Sequence, residues 1–410
     1  MEIQLLGRTD RNPLGYRPGE AIRFTFVLDD GGQPLPAGAF RIQWRRKGDD
    51  GMEEGGTAPI AAAKPAEVTV SMAKPGFVSM TAALQTADGQ AVLRRDGKPV
   101  LFEGGAGVAV NEIPFVPPPA DFGAFWREQL AALAAVPLEA AVVEREPLEA
   151  AVVYTVSVAC AGPRPATAYM CIPIGARPGS CKAQLHFDGY GFDLPKYQNL
   201  LKVSPADAIH IYINAHGAEL MNPEEAYYLR LNGETKSNGQ LYAFDPEQNR
   251  RPQDAYFLQM VWRVLRMVEF VRTLPEWNGR DISLNGNSQG GLQSIWGAAL
   301  SPLVTECHPS IPWQCDVAGQ SRFGRLFGDW RIPYQPGLEY FDCVNMARLI
   351  KCPVTVERAG LGDYICPPSG VSLFYRAMKC PKAIRWFQGT THIFVPRCYA
   401  ETFYFEGDLP

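Results

Sequence analysis

The sequence predicts an α/β fold, a mostly parallel central sheet flanked by helices, with a small immunoglobulin-like β-sandwich in front of it. Three observations predict this. Short apolar runs of period two fill residues 1–112, strands alternate with helices over residues 121–410, and a proline-rich stretch at residues 113–120 separates the two patterns.

In the first region Ile22, Phe24, Phe26 and Leu28 alternate with Arg23, Thr25 and Val27, the pattern of a half-buried strand. Similar runs follow at Arg41–Arg45, Glu67–Met72, Val78–Leu84 and Val108–Ile113. Turn formers separate them, at Asp29-Asp30-Gly31-Gly32, Pro75-Gly76 and Asp96-Gly97. No helical pattern lies among them, and short strands at this spacing predict the sandwich. Trp44 reads as a core residue of this domain.

Pro114, Pro117, Pro118 and Pro119 stiffen the next stretch and exclude regular structure, which marks a linker. Asp121 is placed to cap a helix over Phe122–Leu133. Beyond it, Ala150–Ala159 and Thr167–Ile174 read as a strand pair, and Cys181–Phe187 and Ala208–Asn214 as central strands. Asp254 is placed to cap an amphipathic helix, Ala255–Thr273, with Phe257, Val261, Val264, Leu265 and Val268 on one face. Asp281–Leu284, Pro353–Arg358 and Ala383–Phe387 complete the predicted strands. Strands and helices in alternation imply βαβ units.

With 410 residues the chain can bury a sizeable core without disulfide or metal staples. Its net charge of −4 and lack of a basic run argue against nucleic acid as a partner. No apolar stretch reaches the roughly 20 residues of a membrane span. MEIQLLGRTD at the N-terminus lacks the pattern of a secretory leader, so the sequence as it stands predicts a cytoplasmic protein. The ten cysteines include no C-x-x-C pair, so a structural zinc is not expected and the thiols read as free and buried.

The chemistry centres on Gly286-Asn287-Ser288-Gln289-Gly290, a G-x-S-x-G sequence with Gly291 behind it. A strand precedes it and the helix-like run Leu292–Leu300 follows, which is the setting of a nucleophile elbow in an α/β-hydrolase. The glycines are needed because side chains two residues either side of the serine would strike the neighbouring strand and helix. Ser288 is the candidate nucleophile, and a plain helix-entry serine is the alternative.

A serine hydroxyl needs an adjacent base at neutral pH. Of the five histidines, only His308 and His392 follow Ser288, and in this fold the order is serine, acid, histidine. His308 comes too soon for an intervening strand and acid. His392 lies in the loop after the strand Ala383–Phe387 and is the candidate base. The acid belongs after the preceding strand, where Asp363 sits in a glycine-containing loop, with Asp342 and Asp329 in reserve. Two backbone N–H groups, of Gln289 and of Tyr190 in the loop His186–Phe192, are the candidate oxyanion donors. His186 is expected to orient that loop.

These residues resemble a known family. Gly286–Gly291, the Gly189-Tyr190-Gly191 loop, the segment Gly360–Ser369 and the helix after Asp121 are similar to the acetyl xylan esterase/cephalosporin C deacetylase family, carbohydrate esterase family 7. The similarity spans residues 115–405 and none of the β-domain. It implies an acetyl esterase acting on acetylated sugars or other small acetyl esters, with Ser288, Asp363 and His392 as triad and Tyr190 and Gln289 as oxyanion donors. It implies no cofactor, and a ring-like homo-oligomer. Two motifs depart from the family: Asn214-Ala215-His216 stands where it carries Arg-Gly-Gln, and Ile393 follows His392 where it carries Glu.

Trp313, Tyr242 and Phe244 are the aromatic candidates for the substrate pocket, with burial in the core as the alternative for each. Two other readings stay open: a general carboxylesterase or prolyl-oligopeptidase-like peptidase, and a non-catalytic carbohydrate-binding relic of the fold.

Overall fold

The computed structural model of the chain describes residues 3–29, 40–62, 64–192, 208–396 and 402–403. The described strands before residue 109 form two antiparallel sheets. Strands β1 (Gln4–Thr9), β2 (Ile22–Asp29), β3 (Phe40–Gly48), β4 (Glu53–Ile60), β5 (Ala66–Val70), β6 (Gly76–Thr86) and β7 (Leu101–Val108) divide into β1-β2-β5 and β4-β3-β6-β7. The inward residues Ile22, Phe24 and Phe26 of one sheet and Ile42, Met80 and Leu84 of the other share one core, so the alternation read from the sequence is a buried face. Trp44 packs at the edge of that core.

The predicted strand Val108–Ile113 does not form. β7 lies earlier, at Leu101–Val108, and the chain turns at Ala109, which takes φ 43°, into a 3₁₀ turn at Val110–Glu112. The turn read at Asp29–Gly32 falls largely outside the described residues.

Residues 113–119 carry no regular structure. Helix α1 (Phe122–Ala134) follows, then β8 (Ala140–Glu144), β9 (Ala151–Val158), β10 (Ala166–Pro173), β11 (Cys181–Phe187) and β12 (Ala208–Asn214). Next come α2 (Glu225–Thr235), α3 (Tyr256–Phe270), β13 (Trp277–Asn287), α4 (Gln289–Leu300), β14 (Glu306–Ser310), α5 (Gly319–Phe323) and α6 (Cys343–Ala347). The series closes with β15 (Val354–Gly360), α7 (Pro368–Ala377), β16 (Lys382–Phe387) and β17 (Thr402–Phe403). The ten strands β8–β17 form one sheet in the order β17-β16-β15-β14-β13-β11-β12-β10-β9-β8. Its centre, from β12 to β16, is parallel, and its flanks are antiparallel.

The parallel strands bury one face, with Ala183, Leu185, Ile282, Leu284, Cys307, Val354 and Val356 packed under helices, while Gln184, His186, Ser283, Asn285, His308 and Glu357 stand half-buried on the other. α3 fits this setting, with Phe257, Val261, Val264, Leu265 and Val268 all buried. Neither expected aspartate caps its helix: Asp121 accepts a hydrogen bond from the Tyr340 hydroxyl, and Asp254 pairs with Arg251. Every described cysteine is free, and Cys398 lies outside the described residues.

Candidate active site

β13 ends at Asn287 and α4 begins at Gln289, leaving Ser288 alone on the turn with φ 56° and ψ −117°. A non-glycine residue at positive φ is strained. The Ser288 N–H donates to the Ser310 carbonyl (2.9 Å), and the Ser288 carbonyl accepts from Leu292 and Trp313, so the strained residue is held from both sides. The elbow also depends on missing side chains. A Cβ on Gly286 would collide with the backbone of Gly290, and one on Gly290 with the Phe187 carbonyl.

Three side chains from separate strand ends meet here. His392 Nε2 is 3.1 Å from Ser288 Oγ, and His392 Nδ1 is 2.9 Å from Asp363 Oδ2. The carboxylate can only accept, so Nδ1 carries the imidazole proton and Nε2 faces the serine as a free base. Asp363 follows β15 and is fully buried. Its second oxygen accepts the N–H groups of Ile365 (3.0 Å) and Cys366 (2.9 Å), which compensates the buried charge. Asp363 therefore orders its own loop as well as the imidazole. Cys366 offers its sulfur within 4.8 Å of Asp363 and His392 donor atoms. Burial pushes that thiol well above its ordinary range and keeps it protonated, while Asp363 and His392 are hydrogen-bonded to each other.

The reserve residues sit elsewhere. Asp342 caps α6 and accepts the N–H groups of Asp316 and Val317, and Asp329 is exposed. His308 lies between Glu306 and Glu357.

Gln289 opens α4, so its N–H falls in the first turn, where the helix supplies no acceptor and the dipole favours negative charge. Tyr190, in the loop after β11, is pinned at three points. Its hydroxyl donates to the Tyr242 carbonyl (2.9 Å), the Gly191 N–H donates to the Tyr242 hydroxyl (2.9 Å), and the Gly191 carbonyl accepts from His216 Nε2 (2.9 Å). Tyr242 in turn donates to Gln289 Oε1 (2.8 Å), which ties the two candidate oxyanion-donor residues together. His216 Nδ1 accepts a hydrogen bond from the Tyr256 hydroxyl (2.8 Å), and Arg164 donates to that hydroxyl and to the His216 carbonyl. Burial pushes His216 down to about 4, so it stays neutral in the one tautomer this chain of bonds needs.

His186 does not orient the loop. Its Nε2 faces His210 Nδ1 at 2.9 Å and its ring stacks on Tyr212, and burial pushes it down to about 3. The sequence reading passed over His216, although its place directly after β12 was the available signal.

Of the aromatic candidates, Trp313 is 0% exposed and Tyr242 only 4%, so neither offers a ring face to a ligand. Tyr242 is instead the hub just described. Phe244 is half-buried and packs against Trp330, a residue the sequence reading missed. Trp330 is 38% exposed and stands edge-to-face on Tyr190 at 5.3 Å between ring centres, which leaves part of its indole open to solvent beside that loop.

A family model described as acetyl xylan esterase matches residues 114–323 and 335–406. The acetyl esterase Axe7A of Xylanibacter ruminicola is 32% identical over 139 residues, 32% of this chain and 31% of that protein, so the match spans about a third of that curated relative. Two solved structures share the fold. The acetyl xylan esterase from Paenibacillus sp. R4 has a TM-score of 0.58 at 24% identity, covering 70% of this chain and 94% of that one. Acetyl xylan esterase 1 from Thermoanaerobacterium sp. JW/SL YS485 has a TM-score of 0.57 at 22% identity, covering 70% and 93%. The family match begins at residue 114, after the β-sandwich.

Proposed function

Because the chain belongs to the acetyl xylan esterase family, we propose that it removes acetyl groups from acetylated carbohydrates through an acetyl-enzyme formed on Ser288. It is a carboxylic ester hydrolase of the α/β-hydrolase type. The observation that carries the reading is the continuous line of hydrogen bonds from Ser288 Oγ through His392 to Asp363.

Ser288 Oγ attacks the acetyl carbonyl as His392 Nε2 takes its proton. The carbonyl oxygen becomes an oxyanion between the N–H groups of Gln289 and Tyr190. Collapse breaks the bond to the sugar oxygen, which leaves with the proton from His392. Water, deprotonated by the same imidazole, then releases acetate. Asp363 steadies the imidazolium in both halves.

The exposed face of Trp330 supports a sugar as the alcohol portion, since an aromatic ring suits the apolar face of a pyranose. A panel of acetylated xylo-oligosaccharides and p-nitrophenyl esters of rising acyl length tests the proposal. Steep preference for acetate with turnover of the acetylated sugars supports it. Equal rates on butyrate and octanoate would favour a general carboxylesterase, and faster release from aminoacyl anilides a peptidase.

Buried free thiols suit a reducing compartment, which supports the cytoplasm, and recovery of the protein outside the cell membrane would contradict it. Assembly into a homo-oligomer follows the family resemblance, and sedimentation velocity measures it.

A further inference from the structure

Strand β7 is the edge of the four-stranded sheet of the sandwich, and an edge exposes unpaired N–H and C=O groups. Here the edge is covered by the loops of the α/β unit that carry the acid and the base. The side-chain amide of Gln388, four residues before His392, donates to the Gly105 carbonyl (2.9 Å) and accepts the Gly105 N–H (3.0 Å), closing a two-bond bridge to β7.

Glycines make this approach possible. A Cβ on Gly362, the residue before Asp363, would collide with the Glu103 carbonyl, and one on Gly105 with the carbonyls of Val78 and Leu361. The two loops are also tied to each other, as the Gly362 N–H donates to Thr390 (3.0 Å) and the Leu361 N–H to Phe387 (3.0 Å). Phe77 also stacks on Trp386 at 5.8 Å, and the Asp49 carboxylate accepts the N–H of Phe77 within its own unit and that of Leu326 across the seam.

We propose that the N-terminal sandwich is part of the catalytic apparatus: its β7 edge clamps the Asp363 and His392 loops in register, and Gln388 is the positioning residue of that clamp. The inference rests on the triad reading. The bridge fixes the backbone four residues from the imidazole, and a small displacement of a catalytic group costs far more in rate than in stability. Loosening the clamp separates His392 from Asp363, and an imidazole that loses its carboxylate partner becomes a weaker base.

The test compares full-length wild type with Gln388→Ala and Gln388→Glu, where Glu keeps the length and one acceptor but loses the donor to Gly105. Three measurements are made on each: kcat/KM for p-nitrophenyl acetate across pH, the thermal midpoint, and the rate of inactivation by a fluorophosphonate. The clamp predicts a fall of about 10- to 100-fold in kcat/KM for Gln388→Ala and a smaller fall for Gln388→Glu. It predicts the acid limb of the pH profile moved to lower pH in both. A merely structural contact would lower the thermal midpoint and leave that limb in place. If Gln388→Ala fails to fold, Gln388→Glu carries the test. Either variant, folded, with wild-type kcat/KM and an unmoved acid limb overturns the proposal. Absence of turnover and labelling in wild type would instead overturn the triad reading beneath it.

Discussion

His392 Nε2 stands 3.1 Å from Ser288 Oγ, on the loop after β16, while the serine rides the turn between β13 and α4. Two strands, β14 and β15, separate those strand ends in the sheet, so the contact exists only because the sheet brings its loops to one rim. Ser288→Ala and His392→Ala should each lower kcat by about four orders of magnitude or more, with unchanged circular dichroism. Asp363→Asn should lower it by about 10³- to 10⁴-fold, since the amide favours the wrong imidazole tautomer. Steady-state kinetics on p-nitrophenyl acetate check all three.

The His216 chain predicts a dependence on acid. Burial holds this histidine at about 4, below its ordinary 6.5, with the Arg164 and Arg263 charges pushing the same way. The unfolded chain therefore binds more protons between those values, so the contribution is full above about pH 6.5 and is lost as pH falls toward 4. His186, held at about 3, adds to the same loss. His216→Gln, able to donate to Gly191 and accept from Tyr256, should flatten part of this slope in urea melts taken from pH 7 to 4 and keep most of kcat. His216→Leu should lower kcat by about tenfold or more with little change in KM, because a displaced Tyr190 N–H weakens transition-state binding only.

Trp330 should govern the sugar. Trp330→Ala is expected to raise KM for acetylated xylo-oligosaccharides about two- to tenfold, in keeping with a ring-stacking contribution of about 0.5–1.5 kcal/mol. KM for p-nitrophenyl acetate should rise less. Equal changes on both substrates would remove the stacking role.

The elbow glycines should tolerate no side chain. Gly290→Ala places a Cβ on the Phe187 carbonyl, and backbone cannot yield as a flexible side chain does. Urea unfolding should show a loss of about 1–3 kcal/mol or more, with activity falling further than stability alone explains.

The elbow turn and the meeting of Ser288, His392 and Asp363 were legible in the sequence because each depends on local constraints: glycine spacing, strand ends and chain order. Strands with clean alternation, such as β2, were legible for the same reason. β7 was not, because Gly104, Gly105 and Gly107 erase its apolar period and serve a contact made elsewhere. β14 escaped because it is five residues long and contains Pro309, which has no N–H to give. It pairs with β15 at Cys307 alone. Trp313 and Tyr242 were placed correctly near the site but not on its surface, since composition says nothing of which ring is covered. The roles of His216, Trp330 and Gln388 arise from partners far away in the chain, and no local pattern encodes them.

Intact-mass spectrometry after exposure to a fluorophosphonate, followed by peptide mapping, tests the central claim most directly. The account predicts a single adduct on Ser288 in wild type, and almost none in His392→Ala over the same time. Stoichiometric labelling of a different serine, or equally fast labelling of Ser288 without the imidazole, would contradict it.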